Sequence, residues 1–387
     1  MSSYGAIFRS PGFLRVISSQ LFARFPFGMM TLAFVMHIQF VHHSYAIAGL
    51  ALGADTIGAA ISGPVLSRLL GKFGTTRVLL TSASIGAAAM VGIGVLNASP
   101  LAMILMALVV GLTSPPIQNA ARTIYPSLVQ KKHLPAVYSL DATSQEIIWV
   151  IGPVLATVLA AQFNTMLVVV LMAVIQVSGA IWFCSNREVS RMVIPRPSRK
   201  MGRVLGNRVV VATALLGLLL IGGFSGVEVG TVAVVSKAMA GLVIGALSLG
   251  SIVGGLALGN RVKSRWSLTI LLGVVFVGYA MIWIAPTDPI WLSICLFVSG
   301  IGVAPSLGIL GTAIAYNLKP GDSAEANGWA TTGQLVGYSA GAALSGIAID
   351  LISSSASFYV SLIFGAGAIF VAILAVDVMN PNRKSSE

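Results

Sequence analysis

Two stretches of this sequence, 46–68 and 238–260, carry the same apolar, glycine-rich pattern 192 residues apart. Each copy is long enough to cross the hydrocarbon core of a bilayer, which takes about 20 apolar residues in a helix. A repeat of this kind predicts a chain built from two related membrane-spanning halves. The positions that hold the same residue in both copies are Ala46/Ala238, Ala48/Ala240, Gly49/Gly241, Leu50/Leu242, Gly53/Gly245, Ala54/Ala246, Gly58/Gly250, Gly63/Gly255 and Leu66/Leu258.

Water cannot be the solvent around most of this chain, because 56% of its residues are hydrophobic and 9% are charged. Soluble domains carry about 25% charged residues. The net charge of +12 would indicate a nucleic-acid partner in a soluble protein. Here the basic residues lie in short loops between apolar runs, which is the pattern that sets membrane topology. The composition therefore predicts an integral membrane protein in contact with lipids and without a nucleic-acid partner.

Apolar runs of membrane-spanning length predict an all-α membrane protein with twelve transmembrane helices in two pseudo-symmetric six-helix bundles. The long basic segment between the sixth and seventh runs predicts an N-terminal bundle over 1–185, a cytoplasmic linker over 186–207 and a C-terminal bundle over 208–387. The predicted spans are about 13–40, 46–70, 77–97, 100–124, 137–162, 165–185, 208–235, 238–260, 267–286, 289–316, 325–351 and 356–377.

The distribution of basic residues predicts the orientation of the chain. Of the 23 lysine and arginine residues, 21 lie on one side of the predicted spans, Lys237 lies on the other side and Arg24 lies within a span. Because cytoplasmic loops are enriched in these residues, both termini are predicted to be cytoplasmic. The first apolar run is too long for a signal-peptide core, so no cleaved leader is expected. We therefore expect a multi-pass protein of the cell inner membrane.

Two motifs add to this architecture. The loop after the second span reads Gly63-Pro-Val-Leu-Ser-Arg-Leu-Leu-Gly-Lys-Phe-Gly-Thr-Thr-Arg77, and the fifth span contains Glu146-Ile-Ile-Trp-Val-Ile-Gly-Pro153. With the two six-helix halves, they resemble the major facilitator superfamily over the whole chain, in particular bacterial members without an assigned substrate. The fifth-span motif is similar to part of the Gly-Pro motif of the family's drug–proton antiporters. The loop departs from the family pattern, since Gly71 and Lys72 stand where an acidic residue and an arginine are expected.

Charged residues inside predicted spans are the first candidates for function, because a charge at mid-membrane costs at least about 2.5–3.5 kcal/mol. Arg24, Asp55 and Glu146 lie near the midplane, and Glu228 lies in the outer half of the seventh span. Arg24 keeps its charge, so we interpret it as a substrate-binding residue. Glu146 is the predicted proton carrier, with Asp55 as a second titrating or cation-binding group. Each also has a structural alternative, a fixed partner that only joins helices.

Polar and aromatic residues near these charges complete the predicted substrate site. Gln20 lies one turn from Arg24, and Trp149 lies one turn from Glu146. Glu228 is predicted to add a gate or substrate contact from the second half, with simple hydration as the alternative. Gln334 and Tyr338 are predicted to line the cavity, with interhelical hydrogen bonds as the alternative. The repeated Gly49-x-x-x-Gly53 and Gly241-x-x-x-Gly245 predict close helix packing.

The sequence therefore predicts a secondary transporter that moves a small organic molecule by alternating access, as a proton-coupled exporter. Uptake or facilitated diffusion of a small anion through Arg24 is the alternative within transport, and a non-transporting sensor or assembly partner is the alternative outside it. No enzyme activity, cofactor or metal site is expected, since Cys184 and Cys295 lack the spacing of metal ligands. We expect the protein to work as a monomer.

Overall fold

In the computed structural model, residues 3–96, 98–191, 194, 200–235, 237–259 and 264–379 are described, and they form helices without a strand. The predicted linker 186–207 lies in part outside these residues. Short 3₁₀ turns cover Lys131–His133, Arg203–Gly206 and Ile282–Ile284. The helices are α1 Ser3–Phe8, α2 Phe13–His42, α3 Tyr45–Phe73, α4 Thr75–Val95, α5 Pro100–Leu112, α6 Ile117–Leu128, α7 Leu134–Gln162, α8 Thr165–Ser185, α9 Arg187–Ser190, α10 Arg208–Val234, α11 Lys237–Leu258, α12 Ser267–Met281, α13 Pro289–Asn317, α14 Pro320–Leu351 and α15 Ser357–Leu374.

Polar side chains begin several of these helices, because the first backbone N–H groups of a helix lack partners within it. Asn164 Oδ1 accepts a hydrogen bond from Leu167 N at 2.7 Å at the start of α8. Asp288 Oδ1 accepts one from Ile290 N at 2.9 Å, and Pro289 then occupies the first position of α13. Proline suits that position because it has no N–H to satisfy. These caps explain why the long apolar runs break where they do.

Among the described residues, eleven segments are long and apolar enough to cross a membrane. These segments match eleven of the twelve predicted spans. The exception is the eleventh predicted span, which lies in α14; this helix is 32 residues long but contains several acidic and amide side chains. The prediction of an all-α membrane protein is confirmed.

The structure departs from the predicted spans at two places. The fourth span is confirmed as one segment of membrane-spanning length, Pro100–Leu128, but the helix is interrupted between Leu112, where α5 ends, and Ile117, where α6 begins. Pro115 and Pro116 lie in the break, where they remove two backbone donors and restrict the preceding residue. The eleventh helix begins at Pro320 rather than at 325. Proline favours the first helical position, so Glu325 lies inside the helix.

Contacts between Cα atoms divide the chain into two compact units. Unit 1 comprises Met1–Gln130, Ile147–Met201 and Lys319–Gly328. Unit 2 comprises Lys131–Glu146, Gly202–Leu318 and Trp329–Glu387. Each unit therefore includes one short segment from the opposite half of the sequence, since α7 is divided after Glu146 and α14 after Gly328. The predicted domains, 1–185 and 208–387, are continuous in the sequence, and their limits stay a prediction.

Glycines of the repeated segment bring helix backbones together within each unit. In unit 1, a Cβ atom added at Gly58 would lie 2.6 Å from the backbone nitrogen of Leu112 in α5. In unit 2, a Cβ atom added at Gly250 would lie 3.1 Å from Cα of Gly300 in α13. Gly58 and Gly250 are equivalent positions of the repeat. Both halves therefore use one kind of close helix crossing.

The glycines that the sequence analysis selected for helix packing are the wrong ones. A Cβ atom added at Gly49, Gly53, Gly241 or Gly245 has no described heavy atom within 4 Å. The Gly-x-x-x-Gly spacing indicates a smooth helix face but does not say which helix packs against it. The contact lies farther along α3 and α11.

Replacing Gly300 by alanine is expected to lower the thermal unfolding temperature in detergent, whereas replacing Gly245 is not. A Cβ atom at Gly300 would lie 2.9 Å from the backbone nitrogen of Ser251, and overpacking against backbone typically costs about 1–3 kcal/mol. Gly245→Ala keeps its open surroundings and gains up to about 1 kcal/mol of helix propensity. Equal stability of the two variants would contradict the assigned crossing.

Candidate functional site

The carboxylate of Glu146 joins α7 to α11 within unit 2. Its Oε2 accepts a hydrogen bond from Ser248 Oγ at 2.9 Å, and its Oε1 accepts one from Ser251 Oγ at 2.8 Å. Both serines are buried. Glu146 was predicted from its depth in the membrane, but its two serine partners were not predicted. Their spacing of three residues on one helix is the signal that was available, because it presents both hydroxyls to one neighbour.

The rest of this contact consists of small polar groups. Ser139, Thr143 and Glu146 lie on one face of α7, since their spacing follows the helical period. Ser139 Oγ donates a hydrogen bond to the backbone oxygen of Gly255 at 3.0 Å. A Cβ atom at Gly255 would collide with the side chain of Thr143. The first part of α7 is therefore held on α11 by close packing and by hydrogen bonds that end at the carboxylate.

The protonation state of Glu146 controls the strength of this contact. An ionised carboxylate accepts from both serines, and hydrogen bonds to charged groups contribute about 1.5–3 kcal/mol. A protonated carboxyl group has its own hydrogen to donate, and neutral hydrogen bonds contribute about 0.5–1.5 kcal/mol. Proton uptake at Glu146 therefore weakens its hydrogen bonds to α11, and it also removes the cost of burying a charge there.

Trp149, one turn beyond Glu146, belongs to unit 1 and forms an aromatic pair there. Its ring lies 5.6 Å from the ring of Phe27 in an edge-to-face arrangement, and 49% of its surface is exposed. The two helices approach closely beside this pair, because a Cβ atom at Gly152 would lie 3.0 Å from Cα of Gly28. The half-exposed indole is available for a stacking contact with a ligand.

Gln20 and Arg24 occupy successive turns of α2 in unit 1. Gln20 is fully buried, and its Nε2 donates a hydrogen bond to the hydroxyl of Tyr125 at 3.0 Å. This contact gives Gln20 an interhelical hydrogen bond, which the sequence analysis did not predict. Arg24 is partly exposed, as a ligand-binding cation must be.

Asp55 lies in α3 of unit 1, where the helix crosses α5. The side chain is 9% exposed, and a Cβ atom at Gly111 would collide with the backbone of Asp55. The backbone of Asp55 is thus part of the glycine crossing. No described residue forms a hydrogen bond or an ion pair with its carboxyl group. A buried carboxyl group without a partner is stabilised by a bound proton or cation.

Glu228 and Tyr338, which were selected separately from the sequence, are brought together within unit 2. Tyr338 Oη donates a hydrogen bond to Glu228 Oε2 at 3.0 Å. Gln334, one turn before Tyr338 in α14, packs on α10, where a Cβ atom at Gly217 would lie 3.1 Å from its Cγ. Glu228 and Gln334 are partly exposed, and Tyr338 is exposed.

An ion pair that the sequence analysis missed joins α3 to α14 within unit 1. Arg68 Nη1 donates to Glu325 Oε2 at 2.6 Å, and the side chain of Glu325 is fully buried. Arg68 was interpreted as a topology determinant, and Glu325 was placed at the helix start. The available signal was an acidic residue that becomes internal once α14 begins at Pro320.

The same region holds the loop motif that departs from the family pattern. Gly328 of α14 packs on α3, since a Cβ atom there would lie 2.6 Å from Cα of Pro64. Asn119 Nδ2 in α6 donates a hydrogen bond to Ser67 Oγ at 2.8 Å. Arg68 and Glu325 therefore supply an ion pair close to a motif that lacks the acidic residue at Gly71.

In the part of the chain that the structure describes, no group of three or more histidine, cysteine or acidic side chains has the arrangement of a metal site.

Comparisons with known proteins relate the chain to membrane transporters. A family model described as Major Facilitator Superfamily matches twice, over residues 16–235 and 228–387. No curated protein sequence gives a significant match. Among solved structures, the human organic anion transporter MFSD10 (TETRAN) is 12% identical, with a TM-score of 0.74, covering 94% of this chain and 99% of that one. A bacterial homologue of the iron transporter ferroportin, in its outward-facing state, is 15% identical, with a TM-score of 0.67, covering 97% of this chain and 99% of that one.

Proposed function

The chain belongs to the Major Facilitator Superfamily, and from that premise we propose that it is a proton-coupled exporter of a small organic molecule. Membrane transport of a small substrate follows from the family. The proposal concerns the coupling ion and the direction of transport. The observation that supports proton coupling is the pair of serine hydroxyls that donate hydrogen bonds to the Glu146 carboxylate.

Proton coupling requires that a proton changes the relative stability of two conformations. The contact of α7 with α11 meets this requirement, because protonation weakens the hydrogen bonds that hold it. Buried serine partners also keep competing water away from the carboxylate. Proton binding to Glu146 then changes the relative stability of conformations with α7 on α11 and conformations with α7 apart from α11. Asp55, which lacks a described partner, is proposed as the second titrating or cation-binding group.

Export from a cell inner membrane, with both termini in the cytoplasm, is proposed from the placement of the basic residues and from the partial Gly-Pro motif of the fifth span. The proposed substrate contacts in unit 1 are Arg24 and Trp149, with Gln20 supporting α2. Those in unit 2 are Glu228, Gln334 and Tyr338. We propose that a single chain suffices for transport.

Uptake or facilitated diffusion of a small anion is the second candidate, and Arg24 is the observation that favours it. A partly exposed guanidinium in a membrane helix is a ready partner for a carboxylate or phosphate. The solved relative MFSD10 is described as an organic anion transporter, which agrees with this candidate at the level of fold only. Flux that follows the substrate gradient and ignores the pH gradient would favour it.

A thermal-shift screen of the purified protein against several hundred metabolites and drugs tests the proposed site. A ligand at about 100 times its Kd stabilises the fold by about 2.7 kcal/mol. We expect a stabilising compound whose effect is lost in Arg24→Ala and retained in Arg77→Ala, where the arginine is exposed at the start of α4. Stabilisation that is equal in both variants would place the ligand away from Arg24.

A further inference from the structure

Three side chains of unit 2 combine one negative charge with two aromatic rings. Phe224 and Glu228 lie four residues apart on α10 and therefore share a helix face. Tyr338 of α14 donates its hydroxyl to the Glu228 carboxylate at 3.0 Å. The rings of Phe224 and Tyr338 have centroids 6.5 Å apart and planes inclined at 35°. Phe224 and Glu228 are partly exposed, and 40% of Tyr338 is exposed, so the cluster is open to a ligand.

The helices that carry this cluster are fixed by direct backbone contact. Gly333, Gly337 and Gly341 are spaced four residues apart along α14 and lie against the backbone of α10. A Cβ atom at Gly341 would lie 3.0 Å from Cα of Gly222, and one at Gly337 would lie 2.7 Å from Cα of Leu218. The charge and the rings are therefore held in place by rigid elements, as a binding site requires.

The equivalent crossing in unit 1 shows which part of the cluster is not needed for packing. There Gly28 meets Gly152, and Trp149 lies three residues before Gly152, as Tyr338 lies three residues before Gly341. Glu228 follows Gly222 by six residues, and the residue six after Gly28 is Phe34, which is fully buried. The same helix crossing thus forms without a carboxylate.

The charge of Glu228 has no cationic partner within the described part of the chain. Its hydrogen bond comes from Tyr338, and no described lysine or arginine forms an ion pair with it. A charge in a membrane helix is costly unless it is paired, hydrated or used by a ligand. A cation from outside the protein would provide the missing partner.

The chemistry around Glu228 selects the class of that cation. Calcium takes six to eight oxygen ligands, and magnesium requires a complete octahedron. The cluster offers one carboxylate and one phenol, so it is a poor metal site. Aromatic faces attract ammonium and related organic cations, most strongly when the cation is desolvated. An organic cation gains from the carboxylate and from both rings.

We propose that Glu228, Phe224 and Tyr338 form a recognition site for a monovalent organic cation on unit 2. This inference rests on the proposed function, because it names the substrate class that the exporter carries. Glu228 supplies charge recognition, and the rings supply apolar contact. The hydroxyl of Tyr338 orients the carboxylate.

Equilibrium dialysis of the purified full chain against tetraphenylphosphonium tests the proposal. Tetraphenylborate has the same shape and the opposite charge, so it separates charge recognition from apolar partitioning. We expect saturable binding of tetraphenylphosphonium, displacement by benzyltrimethylammonium, and no saturable binding of tetraphenylborate. Glu228→Gln should weaken the affinity at least tenfold. Tyr338→Phe, which keeps the ring, should weaken it two- to threefold, and Tyr338→Leu more than Tyr338→Phe.

The matched control is Asp350→Asn, which removes an exposed carboxylate from the same helix α14 and should leave the affinity unchanged. Absence of saturable cation binding, or equal affinity in wild type and Glu228→Gln, overturns the proposal. If cation binding fails while Glu146-dependent proton transport is present, this site is wrong and the proposed function stands. If the cation binds at Glu228 but transport is not linked to protons, the recognition site stands and the proposed proton coupling is wrong.

Discussion

Replacing Glu146 by glutamine is expected to abolish proton-driven accumulation of substrate while leaving substrate exchange across the membrane intact. Glutamine keeps the size of the side chain and one acceptor oxygen for Ser248 or Ser251, but it cannot bind or release a proton. For one-for-one exchange, a gradient of one pH unit sustains a concentration ratio of about tenfold, equivalent to 1.4 kcal/mol. The variant should fall from this ratio to equal concentrations.

The measurement uses proteoliposomes that contain a ligand found by thermal shift, with and without an imposed pH gradient. Glu188→Gln provides the matched control, because the same substitution there falls in α9, outside the candidate spans. It should accumulate substrate as the wild type does. Accumulation by Glu146→Gln at the wild-type level would remove Glu146 from the coupling mechanism.

Replacing Arg68 by alanine is expected to cause the largest loss of stability among these changes. The substitution removes the cation that lies 2.6 Å from the fully buried carboxylate of Glu325. Breaking a buried ion pair from one side typically costs about 3–5 kcal/mol, because the remaining charge stays buried. Thermal unfolding in detergent should therefore shift strongly downward. The exposed Arg77→Ala serves as the control and should unfold near the wild-type temperature.

A second variant separates the ion pair from a general packing defect. Removing both charges, as in Arg68→Ala with Glu325→Gln, leaves neither ion of this pair and should recover most of the lost stability. If the double variant is as unstable as Arg68→Ala alone, the loss comes from packing of the arginine stem. If Arg68→Ala matches Arg77→Ala, the ion pair does not stabilise the protein.

The helices and the duplication were predictable from the sequence because both depend on local properties. A helix in a bilayer needs only a sufficiently long apolar run and end signals such as Asp288-Pro289. The break between α5 and α6 was readable in principle, since Ser114-Pro115-Pro116 is a strong local signal.

Side-chain partners were not predictable, because they depend on which helix faces meet. Arg68 and Glu325 are 257 residues apart in the sequence, and no local pattern links them. Glu146 was found from its depth, yet its attachment to Ser248 and Ser251 needed the packing of α7 on α11. Small-residue spacing marked two faces of the repeat without showing that Gly58 and Gly250 make the contact.

The most direct test of the central claim is the proton movement that accompanies transport in the wild-type protein. Proteoliposomes containing a pH-sensitive dye would receive the screened ligand from outside, with no initial pH gradient. Coupling through Glu146 predicts that ligand uptake expels protons, so that the lumen becomes alkaline in wild type and stays unchanged in Glu146→Gln. Ligand uptake by the wild type without any change in lumenal pH would contradict proton-coupled export.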